Sequence, residues 1–196
     1  MSDVVVVRTG SANLASVVAA LERIGGAPRV VDGPAEVAAA PRLVLPGVGG
    51  FAAAMGTLER RGLVTSLREY ITAGRPLLAI CLGFQLLADS SDEGGDVVGL
   101  GVVPGRARRF DSDVRVPQFG WNRVEWDGDP GASGYAYFAN SYRLVDPPAG
   151  WTAATADHGG RFVAAIAREQ QLGCQFHPEL SGQWGEALLR RWWDRC

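Results

Sequence analysis

Short β-branched runs and amphipathic stretches alternate along the first half of the chain, predicting an α/β fold with a mostly parallel sheet and helices on both faces. Three observations carry this expectation. Residues 4–7, 42–45 and 76–81 are short, nearly continuous apolar runs, as strands covered on both faces are. The segments between the strands include apolar residues at helical spacing, which is the rhythm of parallel βαβ units. No internal repeat, low-complexity linker or composition break divides the 196 residues. Residues 1–196 are therefore expected to form one domain, long enough to bury a full core without disulfides or metal.

Residues 4–7 read as the first strand, followed by a turn at 10–13 and an amphipathic helix over 14–24. Residues 29–31 are a second short strand, and 42–45 a third that stops at Pro46-Gly47. Met55, Leu58, Leu63, Leu67 and Ile71 recur at helical spacing, with Gly62 a break between two helices. Residues 76–81 form a buried strand, and a further helix begins over 84–88. From 97 to 167 the texture changes. Short strands at 114–116, 121–126, 136–138 and 162–167 alternate with Gly, Pro and Asp turns. This stretch is expected to extend the same sheet in a more antiparallel manner. Strand 172–176 and helix 186–193 close the chain.

Composition narrows the function classes. An apolar share of 47% with 20% charged residues is ordinary for a soluble globular protein. The net charge of −2, without a stretch that interleaves basic and aromatic residues, argues against nucleic acid as a partner. The apolar runs are too short to cross a bilayer, and no signal-peptide pattern opens the chain, so no membrane association is expected. Three cysteines, Cys81, Cys174 and Cys196, are an odd and sparse set. They point to a reducing cytoplasm and not to a disulfide framework. All 19 basic residues are arginine. With the abundance of Ala and Gly, this reads as codon bias, so most arginines in place of lysine need no functional account.

The segment Ala79-Ile80-Cys81-Leu82-Gly83 places a cysteine where a buried strand turns into a helix. Small residues two before and two after the nucleophile are what a sharp elbow requires, because larger ones collide there. A helix N-terminus beside the sulfur favours thiolate over thiol, and the Leu82 N–H is a natural oxyanion donor. A buried structural cysteine is the competing reading, and the elbow alone does not exclude it.

The chain has two histidines. His177 lies in Gln175-Phe176-His177-Pro178-Glu179, just past a strand, where Pro178 fixes the exit of the chain. Glu179 can turn back toward the ring and hold its tautomer. His158, in Asp157-His158-Gly159-Gly160, reads as a turn residue, and Cys174 as core. Pro46-Gly47-Val48-Gly49-Gly50 follows the third strand, and its glycines permit backbone N–H groups to face a site at the same sheet edge. It lacks the Lys-Ser/Thr of a phosphate-binding P-loop.

Together these segments resemble the class I, triad-type glutamine amidotransferases, and within them the glutaminase subunits of histidine biosynthesis. The likeness runs through residues 45–51, 76–87, 100–110, 117–124, 137–144, 157–165 and 173–181, in order. It implies a flavodoxin-like fold and a Cys81–His177–Glu179 triad that forms a thioester with L-glutamine, releases ammonia, and then frees glutamate with water. It implies glutamine held at Gly47, Gln85, Glu93, Ser141 and Tyr142, with Glu93 on the α-ammonium. The oxyanion hole would use backbone at Val48 and Gly49, completed by Leu82, and would assemble fully only when a partner carries its own substrate. That partner would be a (β/α)₈-barrel synthase or cyclase subunit, forming a heterodimer and conducting the ammonia. No cofactor or metal is implied.

Seven positions depart from the family's pattern. The first loop reads Arg8-Thr9-Gly10-Ser11-Ala12-Asn13, where the family has Asp-Tyr-Gly-x-Gly-Asn. Gln118-Phe119 stands for His-Met, Asn140 for His and Leu180 for Lys. Most of these are expected on the face that meets the partner or conducts its signal. Three readings follow: a histidine-pathway glutaminase, a relative feeding a different synthase in specialised metabolism or sugar modification, and a non-catalytic regulatory subunit. The intact triad argues against the third.

Overall fold

The computed structural model describes residues 2–10, 13–111, 113–128 and 132–196. Ser11 and Ala12, within the expected first turn, therefore lie outside the described residues. In chain order the first half forms β1 (Ser2–Val7), α1 (Leu14–Arg23), β2 (Gly26–Val31), α2 (Pro34–Ala39), β3 (Leu43–Gly47), α3 (Phe51–Arg60), α4 (Leu63–Thr72), β4 (Leu77–Cys81) and the single-turn α5 (Leu82–Gln85). Strands β5 (Ala88–Ser91), β6 (Val97–Val98), β7 (Val103–Arg109), β8 (Gln118–Trp126), β9 (Gly134–Asn140) and β10 (Tyr142–Arg143) follow. The chain then forms β11 (Thr152–Asp157), β12 (Arg161–Arg168), β13 (Gln171–Cys174), a 3₁₀ turn at Pro178–Leu180 and α6 (Gly182–Trp193).

A nine-stranded sheet runs in the order β2-β1-β3-β4-β13-β12-β11-β8-β9. The pairs β1–β2, β1–β3, β3–β4 and β4–β13 are parallel, and the strands beyond β13 pair antiparallel. The first five positions follow the flavodoxin-like order, with β13 as the fifth strand. Strand alternation sorts the core into two layers. Val5 and Val7 join Leu58 and Leu67 of α3 and α4, whereas Val4 and Val6 join Leu21 of α1 and Leu189 of α6. Every residue of β3 and β4 is buried, which explains why these runs show no polar alternation.

Several expectations change. Gly62, at φ +66°, does separate α3 from α4, where its freedom from a Cβ admits the left-handed turn. The helix expected over 84–88 is one turn at Leu82–Gln85, and the chain re-enters a strand at Ala88. Residues 114–116 form no strand, while β11 arises from Thr-Ala-Ala-Thr-Ala-Asp, too small and mixed to signal one. The antiparallel region is also divided. β8, β9, β11 and β12 extend the main sheet, but β10-β7-β5-β6 form a separate four-stranded sheet. Among the described residues no helix is long and apolar enough to cross a membrane.

The consequence for function lies in one adjacency. β3, β4 and β13 are parallel neighbours, so their carboxyl ends open on the same edge. The glycine loop, Cys81 and the segment leading to His177 leave the sheet there, although they are far apart in sequence.

Candidate active site

Cys81 ends β4 at φ 53° and ψ −111°, one of two non-glycine residues with positive φ among those described. Such a conformation costs on the order of 1–3 kcal/mol and persists only where the surroundings impose it. Gly83 is part of that imposition. A Cβ at Gly83 would overlap the Leu45 carbonyl oxygen, so the turn after the cysteine lies directly against β3. At Gly47, paired with Cys81 in the sheet register, a Cβ would sit 2.9 Å from Leu82 Cβ. The elbow therefore needs glycine on both strands. Because α5 is a single turn, its macrodipole is smaller than a full helix would supply, and charge control at the sulfur falls more heavily on neighbouring side chains.

His177, the expected base, lies at the turn after β13. The His177 N–H donates to the Tyr137 carbonyl at 2.9 Å, and Ser181 Oγ donates to the His177 carbonyl at 2.6 Å while accepting from the Tyr137 N–H at 3.0 Å. Pro178 opens the 3₁₀ turn, which swings Glu179 back under the ring. His177 Nδ1 and Glu179 Oε1 are 2.8 Å apart, with both side chains buried. Burial alone would lower the imidazole pKa. Interaction with Cys81 and with Glu179 outweighs it and pushes the value up to about 10. His177 is therefore an imidazolium at neutral pH, with Glu179 holding Nδ1. Burial pushes the Cys174 thiol up, which suits a core residue.

A cavity of about 210 Å³ opens at this point, lined by Cys81, His177, Val48, Gly49 and Leu82. Of the residues expected to hold glutamine, Gln85, Glu93, Ser141 and Tyr142 line it too, whereas Gly47 does not and packs behind Leu82. Glu93 Oε2 accepts the Phe51 N–H at 2.9 Å, so α3 anchors the carboxylate. Arg106 of β7 pairs with both Asp92 and Asp96, strapping down the loop that carries Glu93. A larger cavity of about 270 Å³, with Trp126, Arg168, Arg191 and Trp192 in its wall, has no cysteine or histidine lining it. Cys81 and His177 are in the smaller one.

Residues 6–194 match the family model for glutamine amidotransferase class-I. The chain belongs to this family. It is similar to the protein named imidazole glycerol phosphate synthase subunit HisH from Moorella thermoacetica, at 41% identity over 97% of this chain and 93% of that one. It is also similar to imidazole glycerol phosphate synthase hisHF, chloroplastic, from Arabidopsis thaliana. There the identity is 42% over 93% of this chain, but the match occupies 32% of the plant protein. A crystal structure of a glutamine amidotransferase superposes with a TM-score of 0.79 at 20% identity, covering 97% of each chain, which supports the fold.

Of the side chains around this cavity, one escaped the sequence reading and another was expected toward the partner. Gln175 is fully buried, and its Nε2 lies 3.9 Å from Cys81 Sγ. The signal was present, since Gln175 and His177 are two apart and an extended segment sends both to one side. Asn140 lines the cavity and donates from Nδ2 to the Tyr142 carbonyl at 3.0 Å.

The departures from the amidotransferase pattern do not gather on an outer face. Arg8, Phe119 and Leu180 are exposed, but Thr9, Gln118 and Asn140 are buried, and Ala12 lies outside the described residues. Strand alternation explains two of them. Gln118 and Asn140 are cross-strand partners on the inner side of the β8–β9 hairpin, which also carries Val124, Ala136 and Phe138. The opposite side presents Phe119, Trp121 and Tyr135, which are 72%, 59% and 59% exposed.

Proposed function

We propose that this chain is the glutamine-hydrolysing subunit of imidazole glycerol phosphate synthase in histidine biosynthesis. The observation that carries the reading is the buried His177–Glu179 pair beside a strained nucleophile elbow. It occurs in a chain 41% identical, over almost its whole length, to a HisH subunit.

In the reaction, Cys81 Sγ attacks the carboxamide carbon of L-glutamine, and charge collects on the amide oxygen. Leu82 donates to that oxygen, since the first residue of a helical turn has no intrahelical partner for its N–H. Backbone N–H groups at Val48 and Gly49 complete the hole. The C–N bond breaks as His177 gives its proton to the departing nitrogen, leaving a thioester and ammonia. A water then loses a proton to His177 and attacks the thioester carbon, and the C–S bond breaks to free glutamate. Glu93 takes the substrate α-ammonium. Gln85 spends its amide nitrogen on Tyr142 and Gln175, so its carbonyl oxygen is what it offers the ligand.

A (β/α)₈-barrel cyclase subunit is the partner this reading requires. Its docking surface would be the ridge of Phe119, Trp121, Tyr135 and Leu180, because exposed apolar side chains grouped on one face mark interaction sites. Tyr137, edge-on to both Phe119 and Trp121, accepts from the His177 N–H, so a partner on this ridge presses on the turn carrying the base. The plant relative, two thirds of which extends beyond the match, fits a synthase of two components.

The test measures glutamate formation by this chain alone, and with the cyclase subunit and its substrate. Glutamine hydrolysis that rises strongly in the complex, and disappears in Cys81→Ala, is expected. A stable complex that forms no glutamate would overturn the proposal.

A further inference from the structure

A chain of polar contacts leads from β10 to the nucleophile. Gln85 Nε2 donates to the Tyr142 carbonyl at 2.9 Å and to Gln175 Oε1 at 3.0 Å, and Gln175 Nε2 lies 3.9 Å from Cys81 Sγ. The direction of each amide is forced. A backbone carbonyl can only accept, so Tyr142 fixes the nitrogen end of Gln85. The second N–H of that nitrogen needs an acceptor, so Gln175 turns its oxygen toward Gln85 and its NH₂ toward the sulfur. The reverse orientation would set two NH₂ groups face to face and an oxygen against the sulfur. Gln175 is fully buried, so no water can repair such an arrangement.

Resting on the glutaminase reading, we propose that Gln175 is a catalytic residue, whose amide N–H donates to the Cys81 sulfur and holds the negative charge there as the nucleophile forms. At 3.9 Å the contact is long for a hydrogen bond to sulfur. It shortens and strengthens when the acceptor is charged, as charge-assisted bonds do. The charged groups facing the sulfur are His177 from the turn after β13, Glu179 behind it, and Glu93 across the cavity from the β5–β6 loop. His177 must give up its proton to the departing nitrogen and cannot restrain the sulfur throughout. Gln175 neither gains nor loses a proton, so its contact persists from attack to thioester hydrolysis. The far end of the relay is Tyr142 in the cavity wall, so the strand that lines the substrate also sets the direction of the donor.

The experiment follows alkylation of Cys81 by iodoacetamide as a function of pH, read by peptide mass so that Cys174 and Cys196 are scored separately. Gln175→Met keeps the length but loses the N–H, and Gln175→Glu turns a carboxylate toward the sulfur. Each is expected to displace the rise of rate with pH upward by roughly one unit, Glu more than Met, slowing alkylation near neutrality about tenfold. Gln85→Leu releases the amide one step back and is expected to give a smaller displacement in the same direction. It decides the question if either Gln175 variant fails to fold by circular dichroism. Profiles of folded variants that overlay the wild type would overturn the proposal. Iodoacetamide needs neither glutamine nor a partner. A displaced profile in a protein that never hydrolyses glutamine would sink the glutaminase reading and leave the Gln175–Cys81 contact standing.

Discussion

Thr9 Oγ1 donates to the Pro46 carbonyl at 2.9 Å, joining the first loop to the start of the glycine loop. Thr9 is buried, so the bond is shielded from water. Thr9→Val keeps the shape and removes the donor, at a cost of about 1 kcal/mol. A fall in melting temperature of roughly 2–4 °C is expected for a chain of this size. Thermal unfolding checks it. An unchanged melting temperature would mean that another donor satisfies Pro46.

Among the three thiols, Cys81 alone should react with a glutamine-derived electrophile. Cys81→Ser should abolish hydrolysis, while Cys174→Ser and Cys196→Ser keep most of it. Peptide mapping after labelling decides, and modification at Cys174 with Cys81 untouched would remove the assignment.

Glu179→Gln preserves the size of the side chain but removes the charge that supports imidazolium at His177. Turnover should fall by on the order of 10²–10⁴, less than for His177→Ala, with little loss of fold. Steady-state kinetics beside circular dichroism separate the two effects. Activity equal to wild type would require a different group to orient the ring.

The raised pKa of His177 gives stability a definite pH dependence. A basic group whose pKa rises on folding contributes fully below its unfolded value, here 6.5, and loses that contribution as pH climbs to about 10. The melting-temperature gap between wild type and His177→Gln should be widest below pH 6.5 and narrow steadily toward pH 10. A gap that widens with rising pH would contradict the assigned charge.

Leu180 stands exposed at the end of the 3₁₀ turn, where the resemblance to the family leads to the expectation of lysine. A cyclase adapted to lysine would offer a carboxylate there, and leaving that group buried and unpaired could cost roughly 3–5 kcal/mol. Leu180→Lys should therefore tighten binding to a standard histidine-pathway cyclase, as measured by titration calorimetry. Tight binding by the wild type with no gain in the variant would show that the interface does not depend on this cation.

The parallel core was legible because its strands are buried on both faces, and residues 4–7, 42–45 and 76–81 carry that burial as unbroken apolar runs. The elbow was legible because Gly83 answers a steric demand that nothing larger meets. The second sheet was not. β5 reads Ala-Asp-Ser-Ser and β6 is two valines, so neither holds enough alternation to declare a face. Gln118 and Asn140 lie beyond the strands expected at 121–126 and 136–138, so no alternation was available to show that both point inward. Gln175 was passed over because glutamine carries no charge to mark it, although its spacing from His177 did.

β13, near the end of the chain, is the fifth of nine strands and lies at the centre of the main sheet. A nascent chain therefore cannot close its sheet until residues 171–174 have emerged, and pairing over such separations is slow. The Cys81 elbow is synthesised long before His177 reaches it. Chains truncated ahead of β13 lack both His177 and the strand that joins the parallel and antiparallel halves of the sheet, so on the proposed reading no such chain could release ammonia.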